Sequence, residues 1–256
     1  MTLVDFPNSS SAAPRIERVR HELKRRVLTV AAIERLTPGM LRISFGGEDL
    51  SDFVSLGADD HVKIFIPTEA GEPERRDYTP RRYDNASRSL VIDFAVHEAG
   101  PATQWALEAR LGDTLEIGGP RGSAIISADV KHWLLIGDET ALPAIGRRIE
   151  EAGPDQRITS IVAISDMDDR QVFETAADVK TLWACRPLDQ AADPSALLAL
   201  VKDIELQPET FLWIAAEASV TRALRAHLVD ERGHPLSWTK AAGYWVIGKA
   251  DAHEKF

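Results

Sequence analysis

Residues 90–106 read Leu90-Val91-Ile92-Asp93-Phe94-Ala95-Val96-His97-Glu98-Ala99-Gly100-Pro101-Ala102-Thr103-Gln104-Trp105-Ala106, and two periodicities meet inside them. Leu90, Ile92, Phe94 and Val96 alternate with Val91, Asp93, Ala95 and His97, the period of a strand with one buried face. After the Gly-Pro break, Ala102, Trp105, Ala106 and Ala109 recur at i, i+3, i+4, i+7, which predicts a short helix with Pro101 in its first turn. A strand passing through a glycine turn into a helix start gathers free backbone N–H groups and the positive helix end at one point, where a pyrophosphate is welcome. Taken alone, the same stretch reads first as a plain strand-to-helix connection capped by local polar groups.

Working outward, the chain from about Arg26 to Ile126 reads as short strands divided by turn residues, the pattern of an antiparallel barrel. Leu41, Ile43 and Phe45 share one face, as do Val62, Ile64 and Ile66 in 61–66, so Lys63 faces away from that apolar row. Thr114–Ile117 resumes the strand pattern. Beyond Asp129 the rhythm changes to buried strand, turn and helix: strand Trp133–Gly137 is followed by a helix over Leu142–Ala152. Ile158–Ile164, Thr181–Cys185 and Phe211–Ala215 are further strands, with helices over Ser195–Val201 and Ala218–Glu231. A two-domain chain follows: a flexible lead over 1–14, an antiparallel β-barrel over 15–128, and an α/β parallel-sheet domain with a C-terminal tail over 129–256. No internal repeat is visible.

The bulk numbers set limits. A chain of 256 residues exceeds the usual single-domain size, and 44% apolar with 27% charged residues is ordinary for a globular protein. A formal net charge of −10 argues against a nucleic-acid partner, whose phosphates need a basic face. Cys185 is the only cysteine, which excludes an intrachain disulfide and cysteine-ligated clusters. Residues 1–14 show neither a basic start nor an apolar core of a leader, and no apolar run reaches membrane-spanning length, so a cytoplasmic protein, a monomer, is expected. The histidines lack metal-ligand spacing, and no protein-held metal is expected. The hydrolase elbow G-x-S-x-G and the loop G-x-x-x-x-G-K-[ST] are both missing.

A second segment carries chemistry: Arg75-Arg76-Asp77-Tyr78-Thr79-Pro80-Arg81-Arg82. In an extended chain Arg76 and Tyr78 share a face, so a guanidinium can hold a phosphate while the ring lies against a flat ligand. On composition, a solvated basic edge strand explains the segment equally well.

Together the two segments resemble the FAD-binding signature of siderophore-interacting proteins, a branch of the ferredoxin reductase superfamily. The family's Arg-x-Tyr-Thr-x-Arg element is Arg76, Tyr78, Thr79 and Arg81, and its His-x-x-x-Gly-Pro-Ala element is His97, Gly100, Pro101 and Ala102, with Thr103 following. Further similarity lies in His61-Val62-Lys63, Gly119-Pro120-Arg121-Gly122, Asp138-Glu139-Thr140-Ala141-Leu142-Pro143-Ala144 and Gly243-Tyr244-Trp245. The resemblance implies an N-terminal flavin barrel and a C-terminal nicotinamide domain with the FAD ring between them. It places Arg76 and the Gly100 helix start at the pyrophosphate and Tyr78 and Thr79 near the isoalloxazine, with Thr79 the candidate for tuning the ring. Asp138, Glu139, Thr140 and Ala141 follow an apolar strand and open a helix, where an open parallel sheet binds its ligand, although a capped helix start explains them too.

The donor is NADH or NADPH by the same resemblance, since no G-x-G-x-x-G follows Gly137. Asp166, Asp168 and Asp169 after the 158–164 strand would repel a 2'-phosphate, which favours NADH, with Arg170 the only nearby cation. The implied acceptor is a ferric siderophore, and Lys63, Arg121 and Lys249 are the cations assigned to it. Two departures stand out: Val246 and Ile247 follow Tyr244-Trp245 where the family has basic residues, and Ala216 precedes Glu217 where it has glycine, a methyl expected to narrow the nicotinamide path. Trp245 is expected near the flavin, and Trp213 and Trp238 in the core. Competing readings are a general flavin or ferric reductase, a reductase linked to ferredoxin, and a non-catalytic flavoprotein that binds siderophore.

Overall fold

In a computed structural model, residues 12–68, 71–96, 100–249 and 251–256 are described. His97 and residues 1–11 of the expected lead lie outside these, while Pro14 is buried.

Alternation builds the first sheet. Strands β1 (Ile16–Arg20), β2 (Arg25–Thr37), β3 (Met40–Gly46), β4 (Val62–Ile66), β5 (Glu74–Tyr78), β6 (Arg82–Asp84), β7 (Ser89–Ala95), β8 (Thr114–Gly118) and β9 (Gly122–Ile126) cover the N-terminal half. Seven of them pair antiparallel in the order β5-β4-β8-β2-β3-β7-β6, and β1 pairs with β9 separately. The rows read from the sequence point inward: Ile43, Phe45, Val62, Ile64, Leu90, Ile92 and Phe94 form one core with Leu115 and Ile117. No ladder joins β5 to β6, so the expected barrel is an open, curled sheet. Its curl brings the Tyr78 ring on edge strand β5 to 4.5 Å from Phe94 on β7. Helix α1 (Pro101–Glu108) lies against β3, β4 and β7, with Trp105 packed on Phe45 and Phe94.

The second sheet has the order β12 (Asp178–Cys185), β11 (Arg157–Ile164), β10 (His132–Gly137), β13 (Thr210–Glu217), β14 (Thr239–Trp245), β15 (Glu254–Lys255). All pairs are parallel except β14–β15. Strand β13 is buried throughout, as a central parallel strand covered on both faces must be. One face packs on α2 (Leu142–Glu150), the other on α3 (Ser195–Lys202) and α4 (Ala218–Arg225). The helix expected over 218–231 is α-helical only to Arg225 and continues as a wider turn over Ala226–Glu231.

Gly137 ends β10 because nothing larger fits: a Cβ there would sit 2.7 Å from the Ala141 methyl and 2.8 Å from the Ala215 carbonyl oxygen. Gly137→Ala should cost about 1–3 kcal/mol, the usual penalty of overpacking, measured as a lower denaturation midpoint with an unchanged slope.

The two sheets share apolar core and buried hydrogen bonds. Met40, from the β2–β3 hairpin, is buried in the same cluster as Leu142, Ile145 and Trp213. From α2, Arg147 donates to the Ser55 hydroxyl, the Ser55 carbonyl and the Pro80 carbonyl, at 2.8, 2.8 and 2.9 Å.

Candidate functional site

The site begins at the open edge of the curled sheet. Along β5 the burial alternates, with Arg76 and Tyr78 turned to the partly covered side and Arg75 and Asp77 exposed, as an extended strand dictates. Tyr78 stands opposite Val62 and Arg76 opposite Ile64 in the β4–β5 register. The Arg76 guanidinium donates to the Glu74 carboxylate at 2.6 Å and to the Arg75 carbonyl at 2.7 Å. Burial pushes the Tyr78 phenol far above its usual pKa, so it stays neutral at any physiological pH. Thr79 ends the strand, buried.

The other signature segment arrives across the same gap. Phe94 lies 4.5 Å from Tyr78 and 6.0 Å from Trp105 of α1, so three rings tie the arginine strand to the helix. The helix opens at Gly100, in extended conformation, with no side chain capping it. Pro101 occupies the first turn, Ala102 and Thr103 are buried, and the Thr103 hydroxyl donates to the Ala95 carbonyl at 3.4 Å. The first-turn amides of such a helix have no intrahelical partner.

Arg81 lies deeper than its neighbours in the motif. It donates twice to Glu150 of α2, at 2.8 and 2.5 Å, and its Nε is 3.5 Å from Asp93. Asp93, in turn, accepts two bonds from Arg42, at 2.7 and 2.8 Å. Paired from both directions, Asp93 is 2% exposed, so β7 is buried on its charged side as well as its apolar one. Gly146 leaves room for this contact, since a Cβ there would meet an Arg81 nitrogen at 2.9 Å and Phe173 at 2.6 Å.

At the carboxyl ends of the parallel strands, Asp138 acts as a hub. One of its oxygens accepts from the Thr140 amide and hydroxyl, at 2.9 and 2.6 Å, and the other from the Glu217 amide and the Trp245 indole, both at 2.9 Å. The bond to Trp245 spans strands β10 and β14 and fixes the indole where an open α/β sheet takes its ligand. Glu139 is held by Arg186 through two bonds of 3.0 and 2.8 Å. Burial, then the neighbouring Asp138 charge, raises its pKa despite that arginine. Ala141 is wholly buried and precedes α2. Trp245→Phe leaves one Asp138 oxygen lobe without its indole donor and should cost about 1 kcal/mol, read as a small drop in melting temperature.

Glu217 was weighed in the sequence only for its neighbour. Burial pushes its pKa up, but bonds from Ser219, Ile247 and Val220 outweigh that and hold it below the usual range. Its signal is an acid directly after the apolar run Phe211–Ala216. Ala216 is buried in the cluster shared with α3 and α4, so its methyl is core material and does not stand in the open path expected for it. Trp213 and Trp238 are core residues as expected; the Trp213 indole donates to Asp59 at 3.0 Å.

The three cations assigned to the acceptor lie on neighbouring segments. Lys63 pairs with Gly118 in the β4–β8 ladder, and Arg121 follows three residues later, exposed. The Lys63 ammonium contacts Asp77 at 2.9 Å and Asp251 at 2.8 Å, which draws the tail carrying exposed Lys249 to the same side. Beyond β11, Asp166 caps a short turn, and Asp169 is buried with one oxygen 2.6 Å from the Gly39 amide. Asp166, Asp168 and Arg170 are exposed. Among the described residues no three of His, Cys, Asp and Glu come together to hold a metal.

Two family models cover nearly all of this architecture. The siderophore-interacting FAD-binding domain matches residues 29–74 and 67–124, and the siderophore-interacting protein model matches 130–248. The chain is 33% identical over 251 residues to the NADPH-dependent ferric-chelate reductase of Escherichia coli, covering 90% of this chain and 96% of that one. The crystal structure of a siderophore utilization protein from T. fusca superposes with a TM-score of 0.87 at 32% identity, over 93% of this chain and 98% of that one. The ferredoxin reductase in carbazole 1,9a-dioxygenase shares the fold alone, with a TM-score of 0.64 at 18% identity over 85% of this chain and 68% of that one. An open antiparallel sheet with the FAD-binding signature, joined to a parallel sheet with the matching C-terminal half, makes this chain a member of the siderophore-interacting protein family.

Proposed function

We infer that this FAD-dependent oxidoreductase takes electrons from a reduced nicotinamide and delivers them to siderophore-bound ferric iron, so that ferrous iron is released. The observation that carries the reading is the aromatic link Tyr78–Phe94–Trp105, which ties the arginine strand to the helix with the uncapped start at Gly100. The donor set suits a flavin dinucleotide: Arg76 and the first-turn amides at Ala102 and Thr103 for the pyrophosphate, with Gly100 and Pro101 letting it approach. Tyr78 and Thr79 then lie beside the ring, and the neutral phenol adds no charge there. FAD supplies the conversion between a two-electron donor and a one-electron acceptor. NAD(P)H and two ferric complexes thus give NAD(P)+, a proton and two ferrous ions, and iron loosens because hard oxygen ligands hold ferrous iron less tightly.

The nicotinamide end is assigned to the strand termini around Asp138, Thr140, Ala141 and Trp245, with the curled sheet over 15–128 and the parallel sheet over 129–256 as the two working units. Asp138 and Glu139 serve there by holding Trp245 and Arg186 in place. Arg81 serves the flavin indirectly, by fixing the Thr79–Pro80 turn against α2 through Glu150. Lys63, Arg121 and Lys249 face the acceptor. Among the described residues no helix is long and apolar enough to cross a membrane. A cytoplasmic monomer is the working assignment.

The test is anaerobic mixing of the purified yellow protein with NADH, NADPH or reduced ferredoxin, followed by a ferric siderophore and a chromogenic ferrous chelator. Bleaching by a nicotinamide and colour from the chelator are expected. A flavin bleached by no donor leaves a non-catalytic siderophore binder, and bleaching without iron reduction leaves a general flavin reductase. Exposed Asp166 and Asp168 favour NADH, whereas Arg170 and the NADPH in the name of the Escherichia coli relative favour NADPH. A higher kcat/KM for NADH is expected and Asp166→Arg should shift the ratio toward NADPH; a wild-type preference for NADPH overturns the NADH assignment.

A further inference from the structure

Lys63 neighbours the flavin strand across the β4–β5 ladder, and its charge is already claimed. It stands on the outer face of β4, opposite Asp77 in the β4–β5 ladder, and its ammonium lies between the Asp77 and Asp251 carboxylates at 2.9 and 2.8 Å. Burial opposes the charge on Lys63, and the two carboxylates outweigh it and hold its pKa above the ordinary value. The acceptor site assigned above therefore carries two carboxylates against the three cations Lys63, Arg121 and Lys249. The segment beside it adds no cation: Val246 and Ile247 follow Trp245, Ile247 is 55% exposed, and its amide donates to the Glu217 carboxylate at 3.3 Å. At a formal net charge of −10, the rest of the protein repels a polyanion as well.

We propose that Asp77 and Asp251 are specificity determinants that cancel the charge of Lys63, so that the site takes ferric complexes of low net charge, such as neutral trihydroxamates, in preference to trianionic tris-catecholates. The selection rests on the ferric-siderophore reading above and refines its substrate class. It is a charge discrimination: a like charge placed against a ligand lowers its affinity without changing the electron transfer itself. Asp251 reaches Lys63 from a tail 188 residues away in sequence, so the device exists only in the folded chain.

Steady-state reduction is measured with ferric trihydroxamate and ferric tris-catecholate complexes, using the holoenzyme, a saturating nicotinamide and a ferrous-specific chelator. The wild type should show the higher kcat/KM with the trihydroxamate. Asp251→Asn, and separately Asp77→Asn, should raise kcat/KM for the tris-catecholate several-fold, chiefly through KM, and leave the trihydroxamate nearly unchanged. Added salt should shrink the wild-type difference between the two complexes. Bound flavin per chain and the rate of bleaching by nicotinamide confirm that each variant is intact. A wild-type preference for the tris-catecholate, or a ratio that neither substitution moves, overturns the proposal alone. A flavin that bleaches normally while neither complex is reduced by any variant overturns the ferric-siderophore reading, and this proposal with it.

Discussion

Arg76→Ala is expected to give a folded protein that has lost most of its flavin. The guanidinium is a quarter exposed, and its partner Glu74 is 41% exposed, so their ion pair contributes little to stability. Its bonds to Glu74 and to the Arg75 carbonyl are local ones that a phosphate can replace. A charge-assisted bond to a phosphate is worth roughly 1.5–3 kcal/mol, or about tenfold to a hundredfold in FAD affinity. Titrating FAD into the stripped protein by flavin fluorescence gives the ratio directly. Arg76→Lys should recover part of the loss, since it restores the charge without the fork geometry. An alanine variant that purifies as yellow as the wild type would remove Arg76 from the pyrophosphate site.

Arg81→Met should do the opposite and strike stability first. Arg81 is 3% exposed, and its removal leaves Glu150 facing the seam between the two sheets. Breaking a buried pair by deleting one partner costs about 3–5 kcal/mol. The lower end applies, because Glu150 keeps Arg82 at 3.1 Å and its side chain is 21% exposed. For a chain of this length, about 3 kcal/mol lowers Tm by roughly 6–12 °C in a calorimetric scan. The pH dependence carries the sign of a depressed acid. Burial works to raise the Glu150 pKa, but Arg81 and then Arg82 outweigh it, so the folded value lies below the ordinary 4.5. The pair therefore stabilises the fold above about pH 4.5, the unfolded value, and that contribution is lost as pH falls through the lower folded value. The gap between wild type and Arg81→Met should be widest near neutrality and should narrow on acidification. A gap that stays constant down to pH 3 would dissociate Glu150 from the effect.

The strands that the sequence announced are those with one clean apolar row. Leu41-Ile43-Phe45 and Val62-Ile64-Ile66 became β3 and β4 within a residue, because burial of alternate side chains leaves a period that survives in the text. Strand β2 was not announced. Ala31 to Arg35 in its second half are exposed, and a bulge between Val30 and Ala32 breaks the alternation. Strand β14 likewise carries no alternation, since it is partly covered on both faces. The motif Arg76-x-Tyr78-Thr79-x-Arg81 was legible as a motif, but its members have different fates. Arg76 and Tyr78 share the partly covered side of an edge strand, whereas Arg81 lies past Pro80 and turns into the seam.

From its residues alone this chain declared an antiparallel barrel followed by a parallel sheet and an acidic surface hostile to nucleic acid, and its Arg76–Arg81 and His97–Ala102 motifs resembled a flavin signature. Those properties follow from local periodicity, motif spacing and summed charge, which need no knowledge of distant neighbours. Only the tertiary structure decided that Arg81 meets Glu150, that Asp138 anchors Trp245, and that Lys63 is shared between Asp77 and Asp251. A side chain's charge state and freedom depend on what the fold sets within a few ångströms of it, and partners 69, 107 and 188 positions away leave no mark in a local pattern.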